Sequence, residues 1–190
     1  MNTPRIRIKN LTKAYNNQVV FENLNLELDS GNVYFLTKEN GSGKTTFFKC
    51  LLRECGFKGK IVDQGLVYAY LPEKPKLPKF VSVKAFILMF LDHLENFTFI
   101  DKYLAAFKIL KYQNQPIDKL SKGTKQKVAI IKTLLSDADV YLFDEPLSGL
   151  DQESRKTFFR MISTVENKII IIATHYFSEY QLQHKKVILE

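Results

Sequence analysis

The sequence is poor in residues that staple, anchor or interrupt a chain, with 2 cysteines, 8 glycines and 6 prolines in 190 residues. Cys50 and Cys55 stand close together with no metal-ligand spacing and no second pair. That excludes a disulfide framework or a zinc site, and both read as small reduced fillers of a cytosolic protein. Glycine and proline form no tract, so no low-complexity linker is expected. Long apolar runs are also missing: the longest, Ala85 to Leu91, falls far short of the roughly 20 residues needed to cross a bilayer. Met1 to Asn10 is polar and basic with no apolar signal segment behind it, so nothing in the sequence exports or anchors the chain by itself. No internal repeat is visible. The composition, 45% hydrophobic and 25% charged, is that of a globular protein, and a chain of this size can bury about 70% of its unfolded surface in one domain. Acidic residues number 20 against 28 basic ones, a net charge of +8. The lysines are spread along the chain and no nucleic-acid-reading motif accompanies them, so the charge reads as a solvated surface and no nucleic-acid partner is expected.

What the chain does have is a phosphate cradle. Lys38, Glu39, Asn40, Gly41, Ser42, Gly43, Lys44, Thr45 and Thr46 lie between an apolar, β-prone stretch (Asn32 to Thr37) and a segment that can continue as a helix (Thr45 to Leu52). At such a strand-to-helix turn, backbone N–H groups converge on a polyanion and the helix N-terminus adds partial positive charge. Lys44 can reach the β and γ phosphates and the Thr45 hydroxyl can ligate Mg²⁺, so the expected ligand is ATP or another nucleoside triphosphate with magnesium. The pattern G-x-x-x-x-G-K-[ST] would place its first glycine where this chain has Lys38. Either the turn reaches the needed backbone shape without glycine, at some strain, or the loop sits differently until its ligand arrives.

Before the cradle, Arg5 to Lys9, Val19 to Phe21 and Leu24 to Leu28 read as short strands of a small antiparallel sheet, with turns at Asn16-Asn17 and Ser30-Gly31. Tyr15, near the first turn, reads as sheet packing. After the cradle helix, Gly56 and Gly59 mark a turn and Lys60 to Tyr70 returns to a strand. Pro72, Pro75 and Pro78 then hold residues 72–81 as a loop. Ser82 can cap a helix with Val83, Phe86, Ile87, Phe90, Leu91 and Leu94 on one side. A second helix fits Ile100 to Leu110, and Pro116 ends the helical stretch. Leu120 to Gln126 leads into a further helix through Leu135.

The next strand, Asp139 to Pro146, is apolar and finishes in Asp144 and Glu145. Carboxylates at the C-terminal end of a buried strand need a task, because burying charge without a partner is costly. Asp144 would hold magnesium and Glu145 would orient and deprotonate an attacking water, so hydrolysis is the expected chemistry. Lys168 to Ala173 reads as a central parallel strand ending at Thr174-His175. His175 is either an ordinary satisfied histidine or a sensor of the γ-phosphate.

Taken in order, the cradle, the proline-flanked loop, the helical stretch, Leu120-Ser121-Lys122-Gly123-Thr124, the acidic strand, Ser148-Gly149-Leu150-Asp151 and the strand-end histidine closely resemble the nucleotide-binding subunit of ATP-binding cassette (ABC) transporters. The resemblance covers nearly the whole chain. It implies an α/β fold with a P-loop NTPase core, a mostly parallel sheet flanked by helices. It also implies a small antiparallel β subdomain and an α-helical insertion. As one domain over 1–190, this divides into a β-rich part at about 1–36, the phosphate loop at 38–46, the insertion at about 74–135 and the second half of the core at 136–190. It further implies that Tyr15 stacks on adenine and that Lys44, Glu145 and His175 are catalytic. Glu73 stands where the family usually has a glutamine touching the metal and the attacking water; its carboxylate could join Thr45 and Asp144 at magnesium but adds negative charge beside the γ-phosphate. Ser121 and Gly123 would contact ATP held by a second ATPase subunit, identical or related, with Asp151 on the seam.

The remaining implications concern partners. Work on a solute would pass to membrane-spanning permease subunits docked near Glu73 and Lys74 to Lys119, placing the chain in the cytoplasm on the inner face of the cell membrane. The signature Leu-Ser-Lys-Gly-Thr-Lys-Gln-Lys and the Tyr-Leu-Pro-Glu stretch resemble bacterial export systems, so export is the expected direction. The alternative is a soluble ABC ATPase acting on nucleic acid or ribosomes, but the long coiled-coil insertion or second cassette that would mark one is absent from this sequence.

Overall fold

The structure, a computed structural model, describes residues 3–16, 18–36, 41–91, 97–174 and 184–187. It divides into two compact units, one formed by Met1–Tyr70, Ala138–Glu145 and Val165–Glu190, the other by Leu71–Asp137 and Pro146–Thr164. The fold class is α/β, as expected.

The first unit contains two sheets. Strands β1 (Arg5–Tyr15), β2 (Gln18–Asp29) and β4 (Lys58–Val62) form an antiparallel sheet in the order β2-β1-β4. Alternation sets its register: Ile6 faces Leu28 and Ile8 faces Leu26 across the pair, all but Leu26 fully buried. Arg5 and Arg7 point the other way and pair with Asp29 and Glu27. The expected pieces Val19–Phe21 and Leu24–Leu28 are one long strand. Asn23 takes a left-handed φ of 51° between them, and its N–H is held by the Thr12 hydroxyl at 2.9 Å. A polar residue tolerant of that conformation lets the strand shift register without ending.

The second sheet has the order β5-β6-β7-β3-β8, with β3 (Asn32–Leu36), β5 (Tyr68–Leu71), β6 (Val140–Asp144), β7 (Ile169–Ala173) and β8 (His184–Val187). Strands β6, β7, β3 and β8 run parallel. Every residue of β6 and β7 is buried, which is why both read as continuous apolar runs rather than alternating ones. Helix α1 (Lys44–Leu51) adds Phe47, Phe48, Cys50 and Leu51 to the same core. Each such apolar side chain contributes about 1.5–3 kcal/mol by burial.

The expected single strand over Lys60 to Tyr70 is two strands in different sheets. A turn at Asp63–Gly65 separates them, with left-handed backbone at Gln64 and Gly65 and the Leu66 N–H returning to the Asp63 carbonyl at 3.1 Å. Gly59 is likewise not in a turn. It lies inside β4 with φ +96°, where a Cβ would overlap the Asn10 carbonyl of β1.

The second unit contains α2 (Val83–Leu88), α3 (Phe97–Ala106), α4 (Lys122–Leu135) and α5 (Gln152–Ile162). Ser82 caps α2 as expected, accepting from the Ala85 N–H, but the helix ends at Leu88 rather than near Leu94. Phe90 is therefore exposed, with the Lys132 ammonium over its ring, while Leu94 lies outside the described residues. Helix α3 starts earlier than Ile100 and stops before Leu110. Lys108 turns left-handed and the Ile109 N–H reaches back to the Leu104 carbonyl at 2.8 Å, a closing turn that forbids another helical step. Val83, Phe86, Ile87, Ile100, Leu104 and Phe107 are buried as the helical spacing requires.

Candidate functional site

The site in the first unit is built where β3 and β6 deliver their ends. Gly43 immediately precedes α1 with φ +94°, and a Cβ there would overlap the Val20 side chain, so only glycine lets the chain turn this close to the sheet. The helix begins with no side-chain cap and no acidic residue in its first turn. Its leading N–H groups, four of which in any α-helix lack an internal partner, are thus not claimed by a capping side chain. Ser42 Oγ, on the residue before Gly43, is buried and makes no hydrogen bond among the described residues. A buried hydroxyl without a partner beside an uncapped helix start fits a phosphate oxygen.

Lys44 is the first helical residue and is nearly buried. Its Nζ stands 3.9 Å from Glu145 Oε1. The next residue, Thr45, donates its hydroxyl to Asp144 Oδ2 at 2.6 Å, tying the start of α1 to the end of β6 across 99 residues of sequence. The Tyr70 hydroxyl, from β5, donates to the same oxygen at 3.4 Å. Asp144 is only 2% exposed. A hydroxyl and a carboxylate meeting this way form an oxygen-only donor pair of the kind a hard divalent cation takes, so these residues fit magnesium. Glu145, directly beyond the strand, is held in a left-handed conformation, φ 47°, and its N–H donates to the Ala173 carbonyl of β7 at 2.8 Å. The structure therefore brings together Ser42, Gly43, Lys44, Thr45, Asp144 and Glu145. Gly41 and Thr46 flank them in sequence.

Other expected site residues sit elsewhere. Tyr15 ends β1 and is 45% exposed, not packed in the sheet; the Lys13 ammonium stands over its ring at 4.2 Å while donating to the Gly56 carbonyl at 2.7 Å. In the second unit Glu73 is exposed on the irregular segment after β5. Ser121 is the N-cap of α4: its Oγ accepts from the Thr124 N–H at 3.2 Å and lies 2.9 Å from the Thr124 hydroxyl. Gly123 packs so closely on the Gly149 carbonyl that a Cβ would come within 2.9 Å of it. Asp151 caps α5 through the Ser154 N–H and pairs with Lys127 at 3.2 Å. The Ser154 N–H, followed by the Ser154 hydroxyl and Lys127, holds the Asp151 carboxyl down at about 2 against the cost of its partial burial. Lys38, Glu39, Asn40 and His175 lie outside the described residues.

Sequence reasoning missed Tyr70 and Gln126. Tyr70 is legible in hindsight as a polar-tipped aromatic on the strand that borders the acidic one. Gln126 is a buried amide in α4, 6% exposed, whose Nε2 donates to the Pro146 carbonyl at 3.1 Å. Its signal is an uncharged amide where the helical spacing calls for an apolar residue.

The chain is similar to known proteins in sequence and in fold. The profile of the family described as "ABC transporter" matches residues 21–148. The chain is 34% identical over 182 residues to an uncharacterized ABC transporter ATP-binding protein of Methanocaldococcus jannaschii, covering 90% of this chain and 68% of that protein. It is 32% identical over 178 residues to the zinc import ATP-binding protein ZnuC of Rickettsia conorii, covering 90% and 75%. A solved structure described as the ATP binding subunit of an ABC transporter superposes with a TM-score of 0.86 at 24% identity, over 97% of this chain and 85% of that one.

Proposed function

The chain belongs to the ABC transporter family of ATP-binding proteins, and from that premise we propose that residues Gly41 to Thr46 with Asp144 and Glu145 form its ATP hydrolysis site. As a family member the chain is an ATPase subunit of an ABC transporter. The observation that carries the site assignment is the 2.6 Å hydrogen bond from Thr45 to Asp144, which joins the cradle helix to the acidic strand.

In this reading the triphosphate lies against the uncapped start of α1, receiving backbone N–H groups, the Ser42 hydroxyl and the Lys44 ammonium. Thr45 and Asp144 are the donors that would hold magnesium, which when bound supplies neutralisation of the charge on the transferring phosphate. Glu145 accepts the proton of the attacking water. Lys44 Nζ, 3.9 Å from Glu145 Oε1, would offset part of the negative charge that the carboxylate and the phosphate bring together. Tyr15 would offer its exposed ring to the base, and His175 would contact the γ-phosphate. Glu73, a carboxylate in place of an amide, would still accept from water or bind metal but would add negative charge beside that phosphate.

The proposal extends to a second ATPase subunit, a copy or a relative, whose Ser121 and Gly123 complete the site with Asp151 on the seam. ATP then favours the closed pair only while its γ-phosphate bridges the two. None of the described helices is long and apolar enough to cross a membrane. Transport would pass through separate permease subunits, with this chain peripheral on the cytoplasmic face. The expected export direction finds no support: relatives whose names carry a direction include the import proteins ZnuC and PotA.

Glu145→Gln tests the reading. Binding of ATP should persist, turnover should fall by about 10²–10⁴-fold, and a dimer should accumulate with ATP on size-exclusion chromatography. Undiminished turnover would remove Glu145 from the role of base.

A further inference from the structure

Resting on the reading of Glu145 as the base, we propose that Gln126 is a positioning residue for the hydrolytic step, acting through the Pro146 carbonyl on the backbone that carries Glu145. The left-handed conformation of Glu145 is unfavourable for a residue with a Cβ and persists only where its surroundings fix it. On the N-terminal side the fixing is visible: Asp144 belongs to β6, and the Glu145 N–H is bound to the Ala173 carbonyl at 2.8 Å. On the C-terminal side the next residue is Pro146, whose ring locks its own φ. One backbone angle of Pro146 remains, and it determines where the Pro146 carbonyl points. That carbonyl receives the Gln126 amide at 3.1 Å, in a buried setting.

Gln126 does not act alone on this loop. In the same unit the Gly123 backbone packs against the Gly149 carbonyl, and Lys127 pairs with Asp151 at 3.2 Å. The first two turns of α4 thus hold the loop 146–151 at its beginning, middle and end. Of these contacts, the one from Gln126 falls on the residue that directly follows Glu145. The consequence is a buried residue outside the phosphate cradle that sets how often the Glu145 carboxylate is aimed for proton transfer. Misplacing a catalytic group costs rate rather than substrate affinity.

The experiment uses the full chain with two substitutions at one position. Gln126→Met keeps length and burial but removes the donor. It should lower kcat by about tenfold while the ATP dissociation constant, measured by titration, stays within about twofold. Gln126→Glu cannot donate when ionised but can when protonated. Its kcat relative to the parent chain should therefore recover as pH is lowered from about 8 to 6, a buried carboxyl titrating above the ordinary range. A Gln126→Met chain with unchanged kcat overturns the proposal. So does one in which affinity and kcat fall together, or a Gln126→Glu chain whose deficit is the same at every pH. Glu145→Gln run in parallel separates the two layers: if it retains turnover, the base assignment fails, whereas a dead Glu145→Gln beside an unaffected Gln126→Met strikes the positioning role alone.

Discussion

Helices α1 and α4 begin in opposite ways. At α1 the residue before the first turn is Gly43, which offers no side chain, and the adjacent Ser42 hydroxyl is buried without a bond among the described residues. At α4 the same place is held by Ser121, whose oxygen already accepts the Thr124 N–H. One helix start is left open and the other closes on itself. An uncapped start forgoes about 1 kcal/mol of helix stability, which is tolerable where a bound anion restores it. The capped start must give up a bond before its serine can serve another molecule. That asymmetry matches the proposed division of labour, in which α1 holds ATP permanently in reach and α4 meets a partner's phosphate only at closure.

The comparison can be broken most severely at Lys44. Lys44→Ala removes the nearly buried ammonium of the open start and should abolish ATP binding in a calorimetric titration; unchanged affinity would mean that α1 is not the anion site. Next, Gly43→Ala forces a Cβ into the Val20 side chain in a left-handed backbone and should cost about 3 kcal/mol in a urea unfolding series. An unchanged midpoint would show that the close approach is not needed. At α4, Ser121→Asp retains a cap while adding a charge that repels phosphate, so stability should hold within about 0.5 kcal/mol as ATP turnover drops. If turnover survives, Ser121 is a cap and nothing more.

The smallest effect concerns the other capped helix, α5. Its cap Asp151 titrates at about 2, below its ordinary value, so its stabilising contribution is complete above the unfolded carboxyl's pKa of about 4 and is lost as pH falls from there through about 2. Asp151→Asn, a comparable cap without charge, should be slightly less stable than the parent at pH 6, with the gap closing toward pH 2. Equal stabilities across the range would show that the charge, as opposed to the cap, contributes nothing.

How much of this was legible follows from the range of the forces. Gly43, Lys44, Thr45, Asp144 and Glu145 were readable because each occupies a local strand–turn–helix or strand–end context. The buried β7 was readable because four isoleucines in a row leave few alternatives. The break between β4 and β5 was not, since Gln64 and Gly65 adopt left-handed backbone that a β-rich window does not announce. Tyr70 and Gln126 were missed because their partners, Asp144 and Pro146, are distant in sequence, and hydrogen bonds of that kind have no period. The early ends of α2 and α3 were missed because helical spacing continues past the residues where capping turns stop the helix.

The placement of β7 between β6 and β3 has a consequence for synthesis. The acidic strand is not adjacent to the cradle strand; Ile169–Ala173 is the rail that joins them, pairing with Val140–Asp144 on one side and Asn32–Leu36 on the other. A nascent chain that has reached residue 160 has made every residue of the Thr45–Asp144 pair yet lacks the strand that sets the two in register. Such distant parallel pairings form slowly. Until β7 emerges and inserts, β3 and β6 expose apolar edges, and β7 itself is an uncharged, isoleucine-rich segment prone to pair with its like. The stretch that completes the enzyme is also the one the cell must keep from meeting another copy of itself on the ribosome.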